Sequence, residues 1–425
     1  MASSWMLDLA YLAALLAFSP LLLYARVFRG KYREGFAAKF LGRVPLPPKA
    51  TAPRLWVHAV SVGEVNLVAP LLKEWRSRHD GWEIVLSTTT KTGFDLATKK
   101  HGGDCHVTYA PLDFSWAVKT AIRRIRPDML LLAELELWPN LIRAAKTHAA
   151  AVAVFNGRLG EGSFRGYRRV KWLVGPTLRR IDVIAAQTPE YAQRFLALGA
   201  PADRVHVTGN VKFDGALSQQ QSDRSHELRA WAGIDDDETV FLAGSTQAPE
   251  EAMAIQSYRE LAGGFPRLRL VLVPRHPERF GEVAGLLERS GLPYVRRTGG
   301  SPQRRERPII LVDTIGELSA WWALTNIGFV GGSLGSRGGQ NMIEPAACGV
   351  ATCFGPNTKN FRDVVRLLLD ADAAKVVTDG DALTAFVRQC LRDGAFAAEL
   401  GERAKRVVDT QQGATARTVD LLGPR

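Results

Sequence analysis

Short apolar runs rich in β-branched residues recur along this chain, separated by helical patterns, and that alternation constrains its fold more than any other feature. LWVHAVS starts at Leu55, EIVLSTTT at Glu83, MLLLAEL at Met129, AVAVFN at Ala151, VIAAQ at Val183 and VHVTGN at Val205. After a polar interval, 218–227, the alternation resumes with TVFLAGS at Thr239, LRLVLVP at Leu268, PIILVD at Pro308, IGFVGG at Ile327 and VATCFGP at Val350. Strands buried on both faces read as continuous apolar runs, and helices between them are the crossovers of a parallel sheet. At 425 residues the chain is too long for one compact core. The pattern predicts an α/β protein of two doubly wound domains meeting near residue 215, with a ligand cleft between them at the strand carboxyl ends.

Residues Leu9 to Ala25 carry no charged side chain and are followed by Arg26, Arg29, Lys31, Arg33, Lys39 and Arg43. The stretch is near the lower limit for a span, which needs about 20 apolar residues. Pro20 can kink it. It reads as an N-terminal anchor over 1–30, with the basic flank and all that follows in the cytoplasm. No basic segment precedes it, which argues against a cleaved signal peptide; an interfacial helix is the alternative. The net charge of +12 calls for a negative partner. It is spread along the chain with no concentrated basic block, so nucleic acid is not that partner. Cys105, Cys348, Cys353 and Cys390 form no CxxC pair, which indicates neither a zinc site nor a disulfide framework.

Chemistry concentrates just after the strands. GGSLGSRGGQNMIEP, 331–345, reads as a glycine-rich cradle whose amides, Gly332 and Ser333 among them, approach a phosphate at a helix N-terminus. On that helix Asn341 and Glu344 share a face, where a carboxylate can take ribose hydroxyls. GSTQAPEE offers Ser245 and Thr246, PRHPER offers Arg275, His276 and Arg279, and DTIGEL offers Gly316 and Glu317. In the first half, HAVSVGEVN puts Glu64 at the start of a helix, either as a cap or as a general base kept ionised by the helix dipole. AELELWPN presents Glu134 and Glu136 on one side of an extended strand, able to divide acid and base roles or to clamp arginines of NGRLGEGSFRGYRR. That segment mixes Arg158, Arg165, Arg168 and Arg169 with Phe164 and Tyr167, which suits an anionic amphiphile or a solvated charged face. GNVKFD adds Lys212, within reach of a ligand or the surface.

Taken together, SVGE, ELWPN, the NGRL to GYRR segment, GNVKFD, GST, RHPER, DTIGEL and GGQNMIEP resemble the bacterial 3-deoxy-D-manno-oct-2-ulosonic acid (Kdo) transferases. The resemblance keeps the family's motif order from the apolar N-terminal stretch to near the C-terminus. It implies a GT-B glycosyltransferase with an N-terminal anchor, two Rossmann-like domains at 31–215 (acceptor and catalytic base) and 216–425 (CMP-sugar), and a place at the cytoplasmic face of the inner membrane. The expected partners are CMP-Kdo as donor, a lipid A precursor as acceptor and inner membrane lipids. Glu64 matches the catalytic base, and Ser245, Thr246, Arg275, His276, Arg279, Gly316, Glu317, Asn341 and Glu344 match positions around CMP-Kdo. Attack opposite the departing CMP inverts the anomeric centre. No carboxylate-rich cage is visible, so neither a metal nor any other cofactor is expected. Gln247, Arg337 and Gln340 stand where members of the family commonly carry His. The competing readings are a GT-B transferase or epimerase using a UDP-sugar, separable by cytidine against uridine binding, and an idle anchored lipid-binding protein.

Overall fold

The computed structural model describes residues 4–28, 34–46, 51–215, 219–302 and 307–423. Arg29, Lys31 and Arg33 of the basic flank, 47–50 of the Pro-rich stretch and Ser218 lie outside the described residues. The chain forms two compact units, Met1–Asp214 with Gln412–Arg425, and Gly215–Gln411.

In the first unit, β1 (Arg54–His58), β2 (Glu83–Thr88), β3 (His106–Tyr109), β4 (Met129–Ala133), β5 (Ala151–Gly157), β6 (Val183–Ala186) and β7 (Val205–Val207) form one sheet in the order β3-β2-β1-β4-β5-β6-β7. Every pairing is parallel; Trp56, for example, lies between Val85 and Leu130. This is the doubly wound order, with the direction of winding reversing between β1 and β4. Alternate residues of the strands feed opposite cores. Trp56, Leu130, Leu132, Val152 and Val154 pack on one face with Val118 and Ile122 of α5 (Ser115–Ile125) and Leu141 of α6 (Pro139–Thr147). Leu55, Val57, Leu131 and Phe155 pack on the other with Val65, Leu71 and Trp75 of α3 (Val62–Arg78). Fully burying each such side chain contributes roughly 1.5–3 kcal/mol.

In the second unit, β8 (Thr239–Thr246), β9 (Leu268–Pro274), β10 (Tyr294–Arg296), β11 (Ile309–Leu311), β12 (Ile327–Val330), β13 (Ala351–Phe354) and β14 (Lys375–Val376) run in the order β10-β11-β9-β8-β12-β13-β14, again all parallel. Its winding reverses between β8 and β12. The eleven runs identified in the sequence are all strands here. The three additional ones, β3, β10 and β14, are short and lie at sheet edges, where one-sided pairing removes the need for a long apolar run.

Both units lock the amino ends of their strands with a buried arginine. Arg54 in β1 is fully buried against Glu83 and donates to the Ile125 carbonyl at 2.7 Å. Arg269 in β9 donates to Glu238 at 3.2 Å and to the Ala232 carbonyl at 2.8 Å. These ends are structural, which leaves the carboxyl ends for chemistry.

One boundary differs from the sequence expectation of a second domain over 216–425. The last residues, Gln412–Arg425, belong to the first unit, where the helix Ala414–Leu422 buries Ala414, Val419 and Leu422 in the core beside α3. Asp214 fixes the return by accepting from the Gly413 and Thr415 amides at 2.7 and 2.5 Å. An amphipathic C-terminal helix fits either unit by its pattern alone, so only the fold assigns it.

Candidate functional site

The first unit gathers its carboxylates at the point where the winding reverses, beyond the carboxyl ends of β1 and β4. Ser61 precedes α3 and Glu64 lies in its first turn. Glu64 Oε2 accepts from the Val60 N–H at 2.6 Å and Oε1 from the Ser61 hydroxyl at 3.3 Å, so the carboxylate ties its own turn of helix to the two residues that precede α3. The expectation that the dipole keeps it readily ionised does not hold. Burial pushes its pKa up to about 7; the Val60 N–H opposes this, and the charges of Glu136 and Glu134 add to it. Desolvation and like charge outweigh the bonds from Val60 and Ser61.

Glu134 and Glu136 do not extend the strand as the sequence suggested. β4 ends at Ala133, and Glu134 turns the chain with φ 50°, a left-handed conformation uncommon outside glycine. Glu134 pairs with Lys212 at 3.6 Å, and Glu136 accepts from Trp138 Nε1 at 2.7 Å. Burial raises the pKa of Glu136, and burial followed by the Glu136 charge raises that of the Tyr167 phenol. Glu64, Glu134, Glu136, Tyr167 and Lys212 are therefore one interacting group. Arg158 is partly buried just beyond β5, whereas the helix that follows, α7 (Glu161–Arg169), has no buried residue and exposes Arg165, Arg168 and Arg169.

Asn156 joins these parts and was not singled out from the sequence. It is fully buried with φ 52°, its Oδ1 accepts from the Val211 amide at 3.0 Å, and its Nδ2 is buried with no partner among the described residues. It holds the short turn Val211–Phe213 that carries Lys212. Its signal in the sequence is an Asn at a strand end, a residue that tolerates the left-handed region.

The second unit repeats the arrangement between β8 and β12. Ser245, with φ 55°, and the buried Thr246 end β8, and Thr246 O accepts from the Arg275 amide at 3.0 Å. The glycine-rich run departs from the expected cradle. Its helix covers only Ile343–Ala347, so Asn341 lies before the helix rather than on it. The amides of Gly332, Ser333 and Leu334 donate to the buried carboxylate of Glu250 at 2.7, 2.9 and 3.0 Å, as does Gln247 N at 2.9 Å. The loop thus cradles an internal anion, and Glu250 ties the end of β8 to the end of β12. Sequence reasoning missed this residue because three of its four partners lie 82 to 84 positions away. Gly331 is required by the close approach of the two loops: a Cβ there would meet Thr246 Cα at 2.6 Å and Glu250 Oε2 at 2.7 Å.

Several expected donor contacts are engaged within the protein. Ser333 is fully buried, donating to the Val330 carbonyl at 2.6 Å and accepting from Gly355 N at 2.8 Å. Arg279 pairs with the buried Glu251 at 3.0 Å and with Glu282 at 3.3 Å. Glu317, beside Gly316 with φ 90°, takes Arg224 at 2.6 Å, Arg297 at 3.1 Å and Thr314 Oγ1 at 2.6 Å. Burial opposes ionisation of Glu317, but the bonds from Thr314 and Arg224 outweigh it and hold its carboxyl below the usual range. Arg275 is exposed and His276 partly so. Asn341 Nδ2 and Ser319 Oγ donate to opposite oxygens of the partly exposed Glu344 at 2.9 and 2.8 Å, fixing a carboxylate suited to hydroxyl recognition. Among the described residues, no three His, Cys, Asp or Glu side chains gather as a metal site.

Comparison with known proteins agrees with these motifs. Residues 32–215 match the 3-deoxy-D-manno-octulosonic-acid transferase (kdotransferase) family. The chain is 35% identical over 430 residues to the 3-deoxy-D-manno-octulosonic acid transferase of Bordetella pertussis, covering 97% of this chain and 98% of that one. It is 32% identical over 422 residues to the enzyme of that name from Haemophilus influenzae, covering 97% of each. In fold it is similar to UDP-GlcNAc 2-epimerase from Neisseria meningitidis, with a TM-score of 0.57 at 14% identity over 87% of this chain and 99% of that one. With two parallel doubly wound sheets of GT-B type and near full-length likeness to these enzymes, the chain belongs to the 3-deoxy-D-manno-octulosonic acid transferase family of glycosyltransferases.

Proposed function

We propose that the protein transfers Kdo from CMP-Kdo to a lipid A precursor, lipid IVA, in lipopolysaccharide synthesis, with inversion and with Glu64 as general base. The observation that carries this reading is the state of Glu64: a partly buried carboxylate at the winding reversal, with a pKa of about 7, matched to accepting a proton at neutral pH. The acceptor hydroxyl gives its proton to Glu64 while its oxygen bonds to the anomeric carbon. The bond from that carbon to the CMP phosphate oxygen breaks, and CMP departs with the electron pair. Orienting the hydroxyl and removing its proton are the main tasks, since CMP is an acceptable leaving group. Lys212 and Arg158 favour an anionic acceptor, and the exposed Arg275 with His276 favours the donor phosphate. Glu344, oriented by Asn341 and Ser319, suits the ribose hydroxyls. No metal is needed for these steps. The apolar helix α1 (Ser4–Phe28) and the basic residues after it suit residence at the inner membrane, with both units in the cytoplasm.

The test incubates the detergent-solubilised protein with freshly generated CMP-Kdo and a tetra-acylated lipid A precursor and follows the lipid mass. A gain of one Kdo unit per transfer, with CMP bound in preference to UMP, is the expected result. An unchanged lipid mass despite CMP binding would contradict the assigned acceptor or donor.

A further inference from the structure

We propose that α1 is a monotopic membrane element: it lies within one leaflet, both of its ends stay on the side of the first unit, and it does not cross the bilayer. By composition α1 passes for a span, since Ser4–Leu21 has a mean hydropathy of 1.4. Its attachments decide otherwise. Ser4, Asp8, Tyr11 and Leu15 recur at helical spacing and form the less exposed stripe of α1. Asp8 is buried, accepting from the Ser115 amide at 2.8 Å and hydroxyl at 2.6 Å where α5 begins, and from Asn140 Nδ2 at 3.3 Å in α6. The Tyr11 hydroxyl donates to Asp113 at 3.0 Å, and the Tyr11 ring lies edge-on to Phe114 at 6.0 Å. The first three turns of α1 are therefore fixed to the first unit.

Beyond Leu15 the described side chains are exposed and mostly apolar, among them Leu16, Phe18, Leu21, Leu23, Val27 and Phe28. Leu16 to Phe28 rises about 20 Å, short of the hydrocarbon core of about 30 Å. The chain is then anchored again on the same unit, where Glu34 accepts from the Tyr109 hydroxyl at 3.1 Å and from Lys91 at 2.6 Å. The peptide links from Phe28 to Glu34 reach about 20 Å at most, whatever path they take, and cannot recross a bilayer. The exposed Arg26, with Arg29, Lys31 and Arg33 following in sequence, requires the carboxyl end of α1 to stay at headgroup depth. The exposed rings of Trp5, Phe36 and Trp116 suit the same depth. An apolar rod tethered at both ends to one side, with cations at its far end, fits a single leaflet of anionic lipid.

The test places single additional cysteines in the full chain and reads each by peptide mass, so the native thiols do not interfere. Ser3→Cys in spheroplasts is expected to resist a membrane-impermeant maleimide until lysis, then to react fully. Reaction in intact spheroplasts would place the amino end of α1 across the membrane and overturn the proposal. The proposal rests on α1 meeting lipid, which Leu21→Cys tests separately. In purified protein its reaction is expected to be lost on adding phosphatidylethanolamine–phosphatidylglycerol vesicles, and an unchanged reaction would show that α1 does not enter lipid.

Discussion

Glu64 receives a hydrogen bond from Val60 and sits in the first turn of α3, both of which favour its carboxylate, yet burial and the neighbouring charges raise its pKa to about 7. Only the ionised form can accept a proton, so transfer should fall as pH drops below about 7. Glu136→Gln removes one like charge and should move that acid limb to lower pH, read from the pH–rate profile; an unmoved limb would separate Glu136 from Glu64. Linkage gives a second expectation. A raised carboxyl pKa means that the native state binds more protons than the unfolded chain between about pH 4.3 and the folded value, so this group costs stability as pH rises through that window. Glu64→Gln should therefore raise Tm relative to the parent at pH 8 and not at pH 4, measured by thermal melts. The residue itself was legible, because a Glu after a strand and at a helix start is a local pattern. Its protonation was not, because burial and the approach of Glu136 are tertiary facts.

Among the elements, the long central strands announce themselves because burial on both faces forces a continuous apolar run. The edge strands β3, β10 and β14 do not. The pattern of the glycine-rich run predicts a phosphate cradle and a helix, but its helix is five residues long and its amides serve Glu250. A carboxylate that accepts four backbone amides does so with both oxygens, so Glu250→Gln turns an NH₂ group towards donors. Each buried group left unsatisfied costs about 1–3 kcal/mol. The variant should lower Tm and weaken CMP binding together, as seen in melts with and without CMP. Retention of both would remove Glu250 from the role of tying β8 to β12. Gly331→Ala should disturb the same junction by steric contact, with loss of CMP affinity exceeding that of Gly335→Ala, whose Cβ meets nothing within 4 Å.

For the whole molecule, the sequence reveals two doubly wound units but not that the chain ends on the first, since a C-terminal amphipathic helix fits any apolar face. Leu422 lies in the core beside α3 although it follows the entire second unit. Leu422→Ala should cost about 2–5 kcal/mol, read as a lower denaturation midpoint; a change below 0.5 kcal/mol would deny the helix its place in that core. The assignment of chemistry rests most directly on single-turnover transfer of Kdo from CMP-Kdo to the tetra-acylated precursor, compared between the parent and Glu64→Gln at pH 8 with CMP affinity measured alongside. The expected result is a rate lower by about 10²–10⁴-fold with CMP affinity unchanged. A rate within a few-fold of the parent would contradict Glu64 as the base.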